Sequence, residues 1–289
     1  MRSSVARLSH FLYKSNYSLY LRNFDVKESI HDKFVEFAFS KSYSRFSPIH
    51  YLPASTFQRK KVLYNFLSLM SLSKLTKKSI EDLFSEYTWD LKYKIRDQAI
   101  GLKLNDLSKS WGKENVALFN CFNTIKFRKK VFSNIPLYRA RVLDFGSSIG
   151  CASFLSSNYN TFSHTISDVP GYPLNVAEET LLNCGLRVKK IAIENPQAPP
   201  EYEKGEFDVV YCLHTLEHTT DPLKTCRNLL YSLRPGGYII YTYYKASAPD
   251  GINTPEALHF RKETLKFLKT NTESTKINNL NPYIVAIKK

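Results

Sequence analysis

Along the first 135 residues the apolar positions recur at helical spacing. Ile30, Phe34, Phe37 and Ala38 form one stripe within 26–46, and Pro48 and Pro53 interrupt it. A second helix is predicted from Thr56 to about Leu72, with Val62, Phe66, Leu67 and Met70 turned inward. Ser79 followed by Asp82 has the form of a capping signal and opens a third helix, carrying Ile80, Phe84 and Tyr87. A fourth is predicted over 114–132. It runs into Arg128-Lys129-Lys130, a basic end that complements the helix dipole.

After Pro136 the pattern becomes strand, turn, helix, repeated. Strands are predicted at 141–145, 164–167, 188–193, 207–213, 238–243 and 282–287. Pro173 at a first turn and Gly185 just past an end bracket one helix; Asp221-Pro222 starts another, ending near Arg234. The stretch 207–213 is almost continuously apolar, as expected of a strand covered on both faces of a parallel sheet. Such alternation predicts an α/β fold: a doubly wound, mainly parallel sheet with a helical N-terminal region. The division of the chain is then 1–135, helical, and 136–289, the sheet domain. Ligands of such sheets sit beyond the carboxyl ends of the strands, at the switch point.

Composition narrows the class. With 43% hydrophobic and 14% aromatic residues, the chain can pack a core, which excludes wholesale disorder. The apolar-looking stretch 63–72 includes Asn65, Ser68 and Ser71, and it falls well short of the ~20 residues that span a bilayer. The cysteines at 121, 151, 184, 212 and 226 form no CxxC pair, so reduced, buried thiols in a cytoplasmic-type compartment are expected. Residues 1–140 carry 25 Lys+Arg against 11 Asp+Glu, whereas 141–289 carry 16 against 15. The basic part suits an anionic partner (nucleic acid, an acidic membrane surface or a phosphorylated substrate) or forms a solvated surface. Residues 1–24 hold Arg2, Arg7, Lys14 and Arg22 and no acid. They read as a basic helix docked through Phe11, Tyr13, Tyr17 and Tyr20; the alternative is an organellar transit segment.

The candidate chemistry begins at Val142-Leu143-Asp144-Phe145-Gly146-Ser147-Ser148-Ile149-Gly150. Glycine at 146 and 150 allows a sharp turn and a close backbone approach to a ligand. A dinucleotide fold would want G-x-G-x-x-G without a carboxylate directly ahead of it. Asp168 ends the next strand, and Glu194 and Asn195 end the third. The fourth strand runs into Cys212-Leu213-His214-Thr215-Leu216-Glu217-His218, and Leu233-Arg234-Pro235-Gly236-Gly237 precedes the fifth. In order and spacing these elements resemble the class I S-adenosylmethionine-dependent methyltransferases, a Rossmann-like superfamily. Ser148 departs from the pattern, standing where the middle glycine of D-x-G-x-G-x-G is found.

The resemblance implies S-adenosyl-L-methionine as cofactor. It places Asp144 toward the ammonium end, Asp168 on the ribose and Glu194 near the adenine. Gly146, Ser147, Ser148, Gly150, Val169, Cys212, Leu213 and His214 complete the expected cofactor-binding set. A proton acceptor is needed only if the methyl acceptor loses a proton as it attacks. His214 is the first candidate catalytic residue and His259, placed in the loop after the fifth strand, the second; the alternative for each is a structural or solvent-facing histidine. His214-x-x-Glu217-His218 has the look of a metal cluster, but no metal is expected, the Glu-His pair capping and orienting its loop. The expected function is methyl transfer to oxygen or nitrogen of a small or medium-sized metabolite, with residues 1–135 covering the acceptor site. Two alternatives stand beside it: an RNA methyltransferase using the basic half, and a degenerate fold serving as an interaction module.

Overall fold

The computed structural model describes residues 56–87, 91–99, 104–122, 129–133, 135–195, 200–244, 253–275 and 283–289. The helix expected at 26–46 and the basic segment 1–24 lie outside these residues. The chain divides into two compact units, 1–67 and 68–289. The packing boundary thus falls well before residue 135: the helices from Ser68 onward belong to the same unit as the sheet.

The helices come first: α1 (Thr56–Thr76), α2 (Ile80–Glu86), α3 (Leu91–Ala99), α4 (Leu104–Trp111), α5 (Glu114–Phe122) and α6 (Lys129–Ser133). Of the single helix expected over 114–132, α5 and part of α6 are described, and residues 123–128 lie outside the described residues. The capping box at α2 is formed: Ser79 Oγ accepts from Asp82 N, and Asp82 Oδ2 accepts from Ser79 N. Lys78 joins α2 to α5 by reaching Glu114 at 2.5 Å and Glu86 at 2.8 Å, and these carboxylates hold its ammonium above the usual lysine range. Tyr87 stacks on Phe122, with ring centroids 4.0 Å apart.

The sheet contains β1 (Arg141–Phe145), β2 (Ser163–Asp168), β3 (Val188–Ala192), β4 (Phe207–Cys212), β5 (Leu233–Tyr241), β6 (Thr272–Ser274) and β7 (Ile284–Lys288). Their order is β3-β2-β1-β4-β5-β7-β6. The first five pair in parallel, while β7 runs antiparallel to β5 and to β6. The reversal of strand order lies between β1 and β4, which marks the switch point. Leu143, Phe145, Val210, Cys212, Ile239 and Tyr241 supply the middle of one core layer. Between the strands lie α7 (Cys151–Ser157), α8 (Tyr172–Asn183) and α9 (Pro222–Ser232), with α10 (Pro255–Asn271) after β5. Pro173 opens α8, and Gly185 closes it at φ +75°. Asp221 caps α9, accepting from Lys224 N at 2.7 Å.

Within the unit 68–289 the helices meet the sheet layers at identifiable points. α5 packs on α8, Thr180 Oγ1 donates to Ser71 Oγ at 2.9 Å, and Lys74 pairs with Glu179. Pro235 does not end a helix ahead of the fifth strand. It lies inside β5, where the register with β4 shifts between Phe207 and Val209 and leaves residues 234–236 exposed.

Candidate functional site

The turn after β1 is built by backbone bonds to its neighbour strand. Gly146 N and Ser147 N both donate to Ser167 O, at 2.7 and 3.2 Å, and Gly150 N closes the turn on Ser147 O at 2.8 Å. Gly146, Ser148 and Gly150 all have positive φ (69°, 50° and 80°). A side chain at Ser148 therefore sits in a conformation that ordinarily selects glycine. Two contacts hold it there: Ser148 N donates to Asp168 Oδ2 at 2.6 Å, and Asn120 Nδ2 of α5 donates to Ser148 Oγ at 2.7 Å.

Asp168 stands at the carboxyl end of β2, where sequence reasoning placed it. Its other oxygen accepts from Val169 N at 2.7 Å. Burial raises its carboxyl, and the two N–H donors pull in the opposite direction. Each oxygen retains lone pairs, so the group can still accept from a diol.

Asp144 is placed differently from the sequence expectation. It is 3% exposed, and its Oδ2 accepts from Ser153 N at 3.1 Å and Ser153 Oγ at 2.9 Å. It supports the turn from below by tying β1 to the first turn of α7. Burial pushes its carboxyl up to about 7, against those donors.

This has a consequence for stability. The unfolded carboxyl ionises near 3.8, so between about pH 4 and pH 7 the folded chain holds the extra proton. The contribution of Asp144 therefore falls as pH rises through that window. His164 works in the opposite sense: burial lowers it to about 4, and its contribution is lost as pH falls below 6.5. Asp144→Asn should remove only the first dependence. Denaturant unfolding of the ligand-free protein should show the variant gaining stability relative to the natural chain at pH 7 and not at pH 4. An equal change at both values contradicts this account.

Gly146 also differs in its reason. A Cβ built there would lie 2.0 Å from Thr215 Oγ1. Thr215 Oγ1 donates to Leu213 O at 3.0 Å and to Phe145 O at 3.3 Å, so the loop after β4 lies directly over the turn after β1. That packing by itself requires glycine here.

Cys212 ends β4 and Leu213 follows it, both with their side chains in the core, 0% and 4% exposed. Burial drives the Cys212 thiol well above its ordinary value. Strand alternation points its side chain into the apolar layer, so its backbone is what it can offer a cofactor. None of the five cysteines is paired.

His214 follows at φ +55°, its N–H held by Thr242 Oγ1 at 2.6 Å. Its ring stacks on Tyr244 (5.1 Å, 25°) and meets Tyr283 edge-on. The 1% exposed carboxylate of Glu217 lies 3.9 Å from His214 Nδ1. His218 turns elsewhere, toward the Trp111 ring at 5.3 Å, and its charge bears on Asp168. Among the described residues no cluster of three or more His, Cys, Asp or Glu side chains is gathered as a metal site.

His259 is not in a loop. Thr254 caps α10, accepting from Ala257 N, and Pro255 occupies its first turn. His259 is exposed in the second turn, against Phe260. One half-turn on, Arg261 reaches back to the carbonyls of Tyr243 and Tyr244 at the end of β5. Glu194 is exposed beyond β3, while Ile193 N donates to Asp168 O at 2.8 Å.

Sequence reasoning missed the residues that α4 and α5 bring to this end of the sheet. Gly112 O accepts from Tyr172 N at 2.8 Å, and a Cβ at Gly112 would lie 2.3 Å from Pro170 O. The helical segment therefore lies flush against the loop that follows Asp168, with Trp111 and Asn120 flanking it. Ser147 Oγ is buried and has no hydrogen-bond partner among the described residues. An orphan hydroxyl in the turn, an aspartate with spare lone pairs and a left-handed loop at the switch point fit a ligand that brings a ribose diol and a charged amino-acid end.

The methyltransferase-domain family matches residues 120–277. A ubiquinone biosynthesis O-methyltransferase of Paraburkholderia phymatum is 30% identical over 146 residues, covering 48% of this chain and 60% of that protein. The protein of the same name from Marinobacter nauticus is 38% identical over 110 residues, covering 36% and 44%. This chain thus spans about half the length of the curated relatives it matches. A solved S-adenosylmethionine-dependent methyltransferase from Aquifex aeolicus aligns at a TM-score of 0.44 and 20% identity, covering 56% of this chain and 89% of that one. The chain belongs to the methyltransferase-domain family.

Proposed function

We propose that the protein transfers the methyl group to a hydroxyl oxygen of a small metabolite. The supporting observation is the placement of two groups at the carboxyl ends of adjoining strands. The turn 146–150 clasps Asp168 beyond β1 and β2, and His214 sits among Tyr244, Tyr283 and Glu217 beyond β4. Phe145 pairs with Ser167 on one side and Cys212 on the other, so the two groups flank one strand end. Asp168 would hold the ribose; Ser147 and Ser148 would meet the amino-acid end; Glu194 remains the candidate for the adenine side. When bound, the cofactor supplies an electrophilic methyl on a sulfonium. Displacement at that carbon depends chiefly on holding the acceptor in line. His214 would accept the hydroxyl proton, with Glu217 orienting its ring through Nδ1.

The printed names of the relatives, O-methyltransferases, favour oxygen over nitrogen. Residues 1–135 are proposed as the acceptor-site cap; within 68–135, the contacts of Gly112 and Asn120 bring helices to this end of the sheet. The five unpaired thiols support a reducing compartment such as the cytoplasm. Among the described residues no helix is long and apolar enough to cross a membrane.

The test has two parts. Calorimetric titration of S-adenosylmethionine should give saturable 1:1 binding, weakened by roughly 1.5–3 kcal/mol in Asp168→Ala, the range for a hydrogen bond to a charged group. Transfer of labelled methyl to a panel of phenols and catechols should then exceed transfer to amines and to RNA. Unchanged affinity in a folded Asp168→Ala chain removes the ribose assignment, and preferential labelling of RNA replaces the metabolite reading.

A further inference from the structure

Resting on that cofactor reading, we propose that Asn120 and Ser148 together form a cofactor-binding device in place of the middle glycine, with Ser148 donating its hydroxyl hydrogen to the cofactor and Asn120 positioning it. Ser148 keeps a left-handed backbone, φ +50°, at a cost that glycine would not incur. Something must offset it. Its N–H is fixed on Asp168 Oδ2 at 2.6 Å, so the residue cannot turn away from the site. Its Oγ accepts from Asn120 Nδ2 at 2.7 Å.

A serine hydroxyl has one hydrogen to give, and nothing among the described residues accepts it. Asn120 occupies one lone pair and so restricts the directions in which that hydrogen can point. The acceptor that remains is the ligand: a carboxylate or hydroxyl oxygen of the bound cofactor. Asn120 belongs to α5, so one chain of contacts runs from the helical cap through Ser148 to Asp168. The cap thereby takes part in cofactor binding as well as in covering the acceptor.

The experiment is a double-mutant cycle on the full chain, read as the dissociation constant of S-adenosylhomocysteine by calorimetry, with the melting temperature followed in parallel. Ser148→Ala keeps the backbone and removes the donor; it should raise the dissociation constant about tenfold. Asn120→Ala should raise it about fivefold, and adding it to Ser148→Ala should cause no further loss. Asn120→Asp keeps the shape but turns the donor into an acceptor that captures the Ser148 hydrogen; it should raise the dissociation constant at least as far as Ser148→Ala, and it carries the test if the alanine variant does not fold. Equal and additive losses, or no loss in either single variant, overturn the proposal. Failure of the unaltered protein to bind S-adenosylhomocysteine would instead overturn the cofactor reading on which it rests.

Discussion

Replacing His214 by glutamine should lower kcat by about 10²–10⁴-fold, the usual range for a positioned general base, and leave S-adenosylhomocysteine affinity within about threefold, less than 1 kcal/mol. The residue is fixed at its backbone N–H by the Thr242 hydroxyl, and its ring lies between the Tyr244 face and the Glu217 carboxylate. Glutamine retains a polar group of similar reach but cannot take up the proton at neutral pH. A rise in the dissociation constant that matches the loss of rate would make His214 a cofactor contact instead. A full rate at alkaline pH, where a phenolic acceptor ionises unaided, would confine the histidine to proton removal. His259, exposed on α10, should tolerate the same substitution without loss of rate.

Gly146→Val carries the second large effect. Its Cβ would overlap Thr215 Oγ1 at 2.0 Å, and valine at φ +69° is strained whatever the space. Overpacking and strain each cost about 1–3 kcal/mol. Their sum is a large part of the roughly 5–15 kcal/mol that holds a typical domain together. The melting temperature should fall steeply, and cofactor binding should be lost with the shape of the turn. Thr215→Ala in the same chain should recover part of the melting temperature, because it removes the colliding Oγ1 and Cγ2. A Gly146→Val protein that melts normally but does not bind would return the glycine to a ligand-clearance role.

Among the parallel strands β1 and β4 were legible as short apolar runs, whereas the more polar β2 and β3 were legible only from the alternation of strand, turn and helix around them. The caps at Ser79, Asp221 and Gly185 were legible because their side chains or lack of one dictate local geometry. β6 was not: Thr272–Ser274 is three polar residues that follow α10 without a break, and only pairing with β7 makes them a strand. The Pro-Gly-Gly segment was read as a turn because proline is poor in a strand interior; the register shift with β4 accommodates it. Within the site, the turn and Asp168 could be read because their residues are close in sequence. Asn120, Trp111, Tyr244 and Tyr283 could not, since each reaches the site from a separate segment with no motif of its own. The side chain of Cys212 lies in the core for a simpler reason. Adjacent positions on a strand face opposite sides, and its side points into the core.

Amide hydrogen exchange across the whole chain, with and without saturating S-adenosylhomocysteine, tests the central claim most directly. The account predicts slowed exchange at 146–150 and 168–169, weaker protection at 213–215, and the loss of all three in Asp168→Ala. Saturable binding that leaves 146–150 and 168–169 unprotected would contradict it.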